Sequence, residues 1–136
     1  NRAKGKNTFI FIDEIYLLFQ HEYSANFLFT LWKRVRKYGA YATGITQNVD
    51  DLLQSHTART MLANSEFIIM LNQAPTDRIE LAKLLNISDN QLSYITNVGA
   101  GHGLIKVGSS LIPFANKFPK NTKLYKLMTT KPGEGV

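Results

Sequence analysis

The feature that most constrains this chain is the run Thr8-Phe-Ile-Phe-Ile12, followed at once by Asp13 and Glu14. Five β-branched or aromatic residues with no polar alternation predict a strand buried on both faces. Strands of that kind belong to parallel sheets covered by helices. Ligands of such sheets bind outside the carboxyl ends of the strands, so two acids at this tip stand where chemistry is expected. Because a polar segment leads directly into a buried strand, the sequence reads as a piece of a longer protein.

The residues after the tip repeat the alternation of helix and strand. Ser24 is placed to cap a helix running to about Tyr38, with Leu28, Leu31, Trp32 and Val35 as its apolar face, Lys33 and Lys37 opposite, and Gly39 as its stop. Residues 40–46 read as a second strand, and two short helices are expected over 49–54 and 57–64. Phe67-Ile-Ile-Met-Leu71 reads as a third buried strand, expected in the same parallel sheet. Thr76 begins a helix through Leu85, and Ser88 with Gln91 forms a capping box for another reaching about Ile95. Gly99-Ala-Gly-His-Gly103 reads as a turn. Residues 104–107 and 111–115 flank Gly108-Ser-Ser110 as a β-hairpin. Residues 124–129 fit helix and strand equally. The expected fold is α/β: a parallel sheet flanked by helices, with a C-terminal hairpin.

Composition narrows the class. The 136 residues suit one domain, read as 1–130 with a Pro/Gly tail at 131–136. There is no cysteine, which excludes disulfides and thiolate metal sites. No apolar run approaches the roughly 18–20 residues of a membrane span, and Asn1 to Asn7 do not introduce a signal peptide. The formal charge of +6 gathers in three clusters: Arg2, Lys4 and Lys6; Lys33, Arg34, Arg36 and Lys37; and Lys117, Lys120, Lys123, Lys126 and Lys131. Clustered cations fit nucleic acid, an anionic membrane surface or plain solvation.

The chemistry lies at the strand tips. An apolar strand ending in Asp13-Glu14 is the Walker B pattern, in which Asp13 holds Mg²⁺ against phosphate oxygens and Glu14 orients or deprotonates water. The second strand ends in Thr46-Gln47, whose amide can sense a γ-phosphate or the attacking water. Arg34 and Arg36 are candidate arginine fingers, although they point about 160° apart on an ideal helix. No G-x-x-x-x-G-K-[ST] loop occurs. Gly39 and Gly44 have the glycine spacing, but Ile45 stands where Lys is required. His21, His56 and His102 are too scattered for a metal site, and no G-x-S-x-G elbow occurs.

Phe9-Ile-Phe-Ile-Asp-Glu-Ile15, Trp32-Lys-Arg-Val-Arg-Lys-Tyr-Gly39 and Gly44-Ile-Thr-Gln-Asn-Val49, in that order, resemble the conjugative-transfer ATPases of type IV secretion systems, the VirB-type, TraC/TraE-like family. The likeness continues through Leu62-Ala-Asn-Ser65, Gly101 to Gly108, Ile112-Pro-Phe114 and Leu124 to Pro132. It implies a RecA-like motor using ATP and Mg²⁺, assembled as a ring, usually hexameric, with other secretion components. It further implies a cytoplasmic position at the inner face of a cell membrane. By position, Asp13 and Glu14 are then Walker B, Gln47 the sensor, and Arg34 or Arg36 the finger. The family places its Walker A strand, loop and helix upstream. The chain is therefore expected to be the C-terminal part of the motor domain, to bind no nucleotide tightly and to be inactive alone. The alternatives are a piece of a DNA-translocating coupling protein or FtsK-like motor, in contact with DNA, or a non-enzymatic basic binding module.

Overall fold

The structure is a computed structural model and describes residues 5–134. Arg2 and Lys4 of the first basic cluster, and Gly135 and Val136 of the expected tail, lie outside the described residues.

The chain runs β1 (Thr8–Ile12), α1 (Glu22–Arg34), β2 (Ala40–Gly44), α2 (Val49–Gln54), α3 (His56–Ala63), β3 (Phe67–Met70), α4 (Pro75–Leu85), α5 (Asp89–Leu92), β4 (His102–Val107), β5 (Ser110–Ala115) and α6 (Lys123–Met128). Short 3₁₀ turns follow β1, α1 and α5. Local signals account for most boundaries. Gly39 takes the left-handed conformation (φ 65°) that ends the α1 segment. Asn48 caps α2 by accepting from the Asp51 amide, and the Ser88–Gln91 capping box forms as its residues predict. Ser24 is not the cap of α1. The helix begins at Glu22, and the Ser24 hydroxyl donates to the carbonyl of His21 (3.0 Å) and to that of Leu18, tying the first turn to the preceding 3₁₀ segment.

The strands form two sheets. β1 and β2 pair in parallel, from Thr8↔Ala40 to Ile12↔Gly44. β3 does not join them. It pairs antiparallel with β4, which pairs antiparallel with β5 in the expected hairpin. The expectation of a third parallel strand is corrected here, because a continuous apolar run specifies burial but not its neighbour. The turn at 99–101 sends β4 back along β3, and Gly103 permits the approach: a Cβ there would lie 2.2 Å from the Met70 carbonyl oxygen.

Burial of β1 on both faces is also corrected. Ile10 and Ile12 face inward, but Phe9 and Phe11 are 63% and 69% exposed, and Phe9 stacks on exposed Tyr41 of β2 at 5.2 Å. Only one side of this sheet is covered among the described residues. The second sheet repeats the pattern, with Ile68, Met70 and Leu104 buried while Phe67, Ile69 and Ile112 are exposed.

α2 joins the two cores. Val49 and Leu53 pack with Ile68, Met70, Leu81, Leu85, Ile95 and Leu104 beneath the antiparallel sheet. Leu52, on the same short helix, packs instead with Ile15, Leu28, Ala58 and Met61 beneath the parallel pair. Burying one leucine fully is worth about 1.5–3 kcal/mol, so this one short helix ties the two cores together. No helix among the described residues is long and apolar enough to cross a membrane.

Candidate functional site

The parallel pairing continues past both strand ends. The Ile45 amide donates to the Ile12 carbonyl (2.8 Å) and the Ile15 amide to the Ile45 carbonyl (3.0 Å). Residues 13–14 and 46–47 are thus held side by side. Gly44 lets the two tips close over the helical layer, since a Cβ there would stand 2.7 Å from the Ile15 Cδ1 and 3.5 Å from the Trp32 ring.

Asp13 accepts the Glu14 amide on Oδ1 (3.0 Å). Glu14 itself is left-handed, with φ 46° and ψ 46°. For a residue bearing a Cβ that conformation costs roughly 1–2 kcal/mol, and strain of this kind concentrates at functional sites. The side chain of Glu14 meets the neighbouring tip, where Gln47 Nε2 donates to its Oε1 at 3.3 Å. The other oxygen, Oε2, is buried and has no hydrogen-bond partner among the described residues. A buried polar atom without a partner is rare and calls for a ligand, water or ion.

The loop carrying Gln47 is braced on its far side. Thr46 Oγ1 accepts from the Asn48 amide (3.1 Å), and Asn48 Nδ2 donates to Asp51 at 2.6 Å while its oxygen caps α2. Sequence reasoning missed Thr46 and Asn48 as positioning residues. Their signal was present in the Asn-x-x-Asp spacing that opens α2.

Asp13, Glu14 and Gln47 are therefore brought together; Arg34 and Arg36 are not. The Thr8 amide donates to the Gly39 carbonyl (3.0 Å), so the turn carrying Arg36 sits where β1 starts, not where it ends. At a rise of about 3.3 Å per residue, β1 separates the arginines from the acids by roughly 13 Å. No ion pair among the described residues reaches Asp13, Glu14, Arg34 or Arg36. Lys33, beside them, lies over the Phe29 ring at 3.9 Å.

The donor set fits a hydrated magnesium ion better than a protein-enclosed metal. No group of three or more His, Cys, Asp or Glu side chains gathers among the described residues. Mg²⁺ characteristically takes one or two carboxylates and completes its shell with water and phosphate oxygens. Exposed Asp13 offers that carboxylate, and the unpartnered Glu14 oxygen offers an acceptor for water beside it.

Comparison with known proteins gives two likenesses. The family described as the TraG P-loop domain matches residues 1–106. Among solved structures, VirB4 of Thermoanaerobacter pseudethanolicus matches with a TM-score of 0.77 and 27% sequence identity. That match covers 84% of this chain and 32% of the other, so the chain spans about a third of that protein's length. No curated protein matches.

Proposed function

Because this chain belongs to the TraG P-loop domain family, whose match takes in residues 1–106, we propose that it supplies the acid-and-amide side of an ATP-hydrolysing site in a VirB-type motor of type IV secretion or conjugative transfer. The observation that carries the reading is the contact of Gln47 with Glu14 across adjoining strand tips, with the second Glu14 oxygen buried and unpartnered.

In this reading Asp13 holds Mg²⁺ through its exposed carboxylate. The metal and triphosphate, when bound, supply the electrophilic phosphorus and the charge neutralisation that phosphoryl transfer needs. Glu14 orients water and takes its proton at Oε2. Gln47 fixes the Glu14 carboxylate, and its amide exchanges that bond for the γ-phosphate or the water, which makes it a sensor of nucleotide state. Arg34 or Arg36 serves the site of a neighbouring subunit, since each stands at the wrong end of β1 for its own.

The phosphate cradle is proposed to come from residues other than these 136, which contain no G-x-x-x-x-G-K-[ST] sequence. β2 and β3 each keep one edge unpaired among the described residues, and the exposed Phe9, Phe11, Phe67 and Ile69 adjoin them. A further strand and helix would find unpaired edges and apolar cover there. The assembled motor is proposed to work as a ring of like subunits at the inner face of a cell membrane.

Turnover by the full-length protein is the test. Glu14→Gln is expected to leave nucleotide binding intact and to slow hydrolysis by about 10²–10⁴-fold, the usual cost of losing a general base. Turnover within a few-fold of wild type would remove Glu14 from that role. The 136-residue chain alone is expected to release no phosphate above background. Steady release from it, abolished by Glu14→Gln, would refute the need for an external cradle.

A further inference from the structure

Residues 117–134 follow the last strand and take no part in the site at the strand tips. They carry Lys117, Lys120, Lys123, Lys126 and Lys131 against a single acid, Glu134. The Thr122 hydroxyl caps α6 by accepting the Tyr125 amide at 3.2 Å. Tyr125 stacks on Phe118, with ring centroids 6.3 Å apart, and its hydroxyl donates to Glu134. Lys120 closes the clasp with an ion pair of 3.0 Å to the same carboxylate. Of the expected tail, residues 131–134 are described, and Glu134 is held against α6.

The clasp occupies one side of the helix and leaves the other bare. Leu124, Leu127 and Met128 stand at i, i+3 and i+4, hence on one face, and are 53%, 64% and 73% exposed. Lys123 borders that stripe about 40° from Leu127 on an ideal helix, and Lys126 lies on the opposite side, about 160° from Leu124 and from Met128. They and Lys117 make no ion pair among the described residues. We infer that α6 and its flanks form a docking face for an anionic lipid surface, with the Leu/Met stripe entering the headgroup layer and the lysines meeting lipid phosphates.

Charge and apolarity together select this occupant. A bare aliphatic stripe with a lysine at its edge and another on the polar side is the pattern of helices that lie in a membrane interface. Nucleic acid would reward aromatic rings free to stack on bases, but the two rings here, half-buried Tyr125 and the 47%-exposed Phe118, stack on each other, and Tyr125 is held by Glu134. A second copy of the same face would set lysines against lysines. The inference rests on the proposed membrane placement only for which membrane is met; the surface itself is argued from these residues.

The experiment is sedimentation of the 136-residue chain with vesicles of phosphatidylcholine mixed with phosphatidylglycerol, and with phosphatidylcholine alone. Binding is expected to the anionic vesicles only and to weaken as salt is raised. Each lysine near an anionic surface is worth about fivefold in affinity, so Lys123→Gln with Lys126→Gln should cost about 30-fold. Leu127→Ser with Met128→Ser should cost about tenfold or more. Lys33→Gln with Lys37→Gln, in the last turn of α1 and the 3₁₀ turn after it, should change affinity little. Trp32 fluorescence should be the same in the α6 variants as in the wild type, since they alter only exposed residues of α6. Vesicle binding lost through the α1 variant and not the α6 variants would overturn the inference and leave the membrane placement standing. No binding to either vesicle would overturn both. Capture of single-stranded DNA through the α6 lysines without vesicle binding would reassign the face to nucleic acid and overturn the inference.

Discussion

Replacing Glu14 by glycine should stabilise the chain while removing the group proposed to activate water. The wild-type residue holds φ 46° and ψ 46° with a Cβ in place, a strain of roughly 1–2 kcal/mol that glycine does not bear. Its buried, unpartnered Oε2 adds a desolvation cost of about 1–3 kcal/mol. Against these gains stand the Gln47 hydrogen bond to the carboxylate, worth about 1.5–3 kcal/mol, and the extra freedom of glycine in the unfolded chain, about 0.5–1 kcal/mol. The balance favours Glu14→Gly by about 0.5 kcal/mol, which for a chain of this size raises the melting temperature by roughly 1–3 °C. Glu14→Ala separates the terms, because it removes the carboxylate and keeps the backbone strain. Thermal unfolding followed by circular dichroism should therefore rank Gly above Ala by about 1 kcal/mol. If the alanine variant melts at or above the glycine variant, position 14 is not strained and the argument from its conformation fails.

Two further expectations concern the antiparallel sheet and the C-terminal clasp. Gly103→Ala sets a methyl 2.2 Å from the Met70 carbonyl oxygen and 2.8 Å from the Phe114 ring; the obstacle is backbone, so the cost should reach about 3 kcal/mol, the upper end for overpacking. Gly108→Ala, at φ +56° with open space around it, should cost only about 1 kcal/mol, and denaturant melts giving the two equal losses would contradict the close approach of β3 and β4. The Tyr125 hydrogen bond, then that of Lys120, holds the Glu134 carboxyl below its ordinary value, so the clasp's contribution is present above the ordinary carboxylate pKa and lost as pH falls through the depressed one. Lys120 is raised by its hydrogen bond to Glu134, and that contribution lasts until pH climbs through the raised value. A carboxyl-carbon titration by NMR should give Glu134 a midpoint below that of a free glutamate, moving up in Tyr125→Phe; a midpoint at or above the free value would dissolve the clasp.

What could be read from the residues, and what could not, divides along the range of the interactions. α2 falls at Val49–Gln54 as expected, because Asn48 caps it and Leu52 and Leu53 must be buried. The Ser88–Gln91 box and the stop at Gly39 were equally local. Asp13 and Glu14 could be named because they close an apolar run, Gln47 because it closes the next strand, and a parallel pair aligns the ends of its strands. Strand partnership was not legible: nothing within Phe67–Met70 distinguishes β1 from β4 as its neighbour. The exposure of Phe9 and Phe11 was also hidden, since an apolar run states what a strand requires and not what surrounds it. The left-handed backbone at Glu14 carries no signature, because the residue there is not the glycine such a conformation favours.

The separation of charges along β1 bears on how the proposed ring closes. Asp13 and Glu14 stand at one edge of the parallel pair, and Arg34 and Arg36 adjoin the start of the same strand. A triphosphate beside two carboxylates needs cations, and the chain's own arginines are roughly 13 Å away along β1. A two-fold pair with its axis along β1 would set like edges together, acids against acids or arginines against arginines. A head-to-tail contact joins the arginine edge of one subunit to the acid edge of the next, and repeats until the rotation closes. In that arrangement every interface between like subunits would gain an attraction, and each site would receive from its neighbour a cation beyond those of the metal and the phosphate cradle. An arginine so placed is worth about 10³–10⁵ in rate. Assembly and catalysis would then depend on the same two residues, so Arg34→Ala or Arg36→Ala should weaken both.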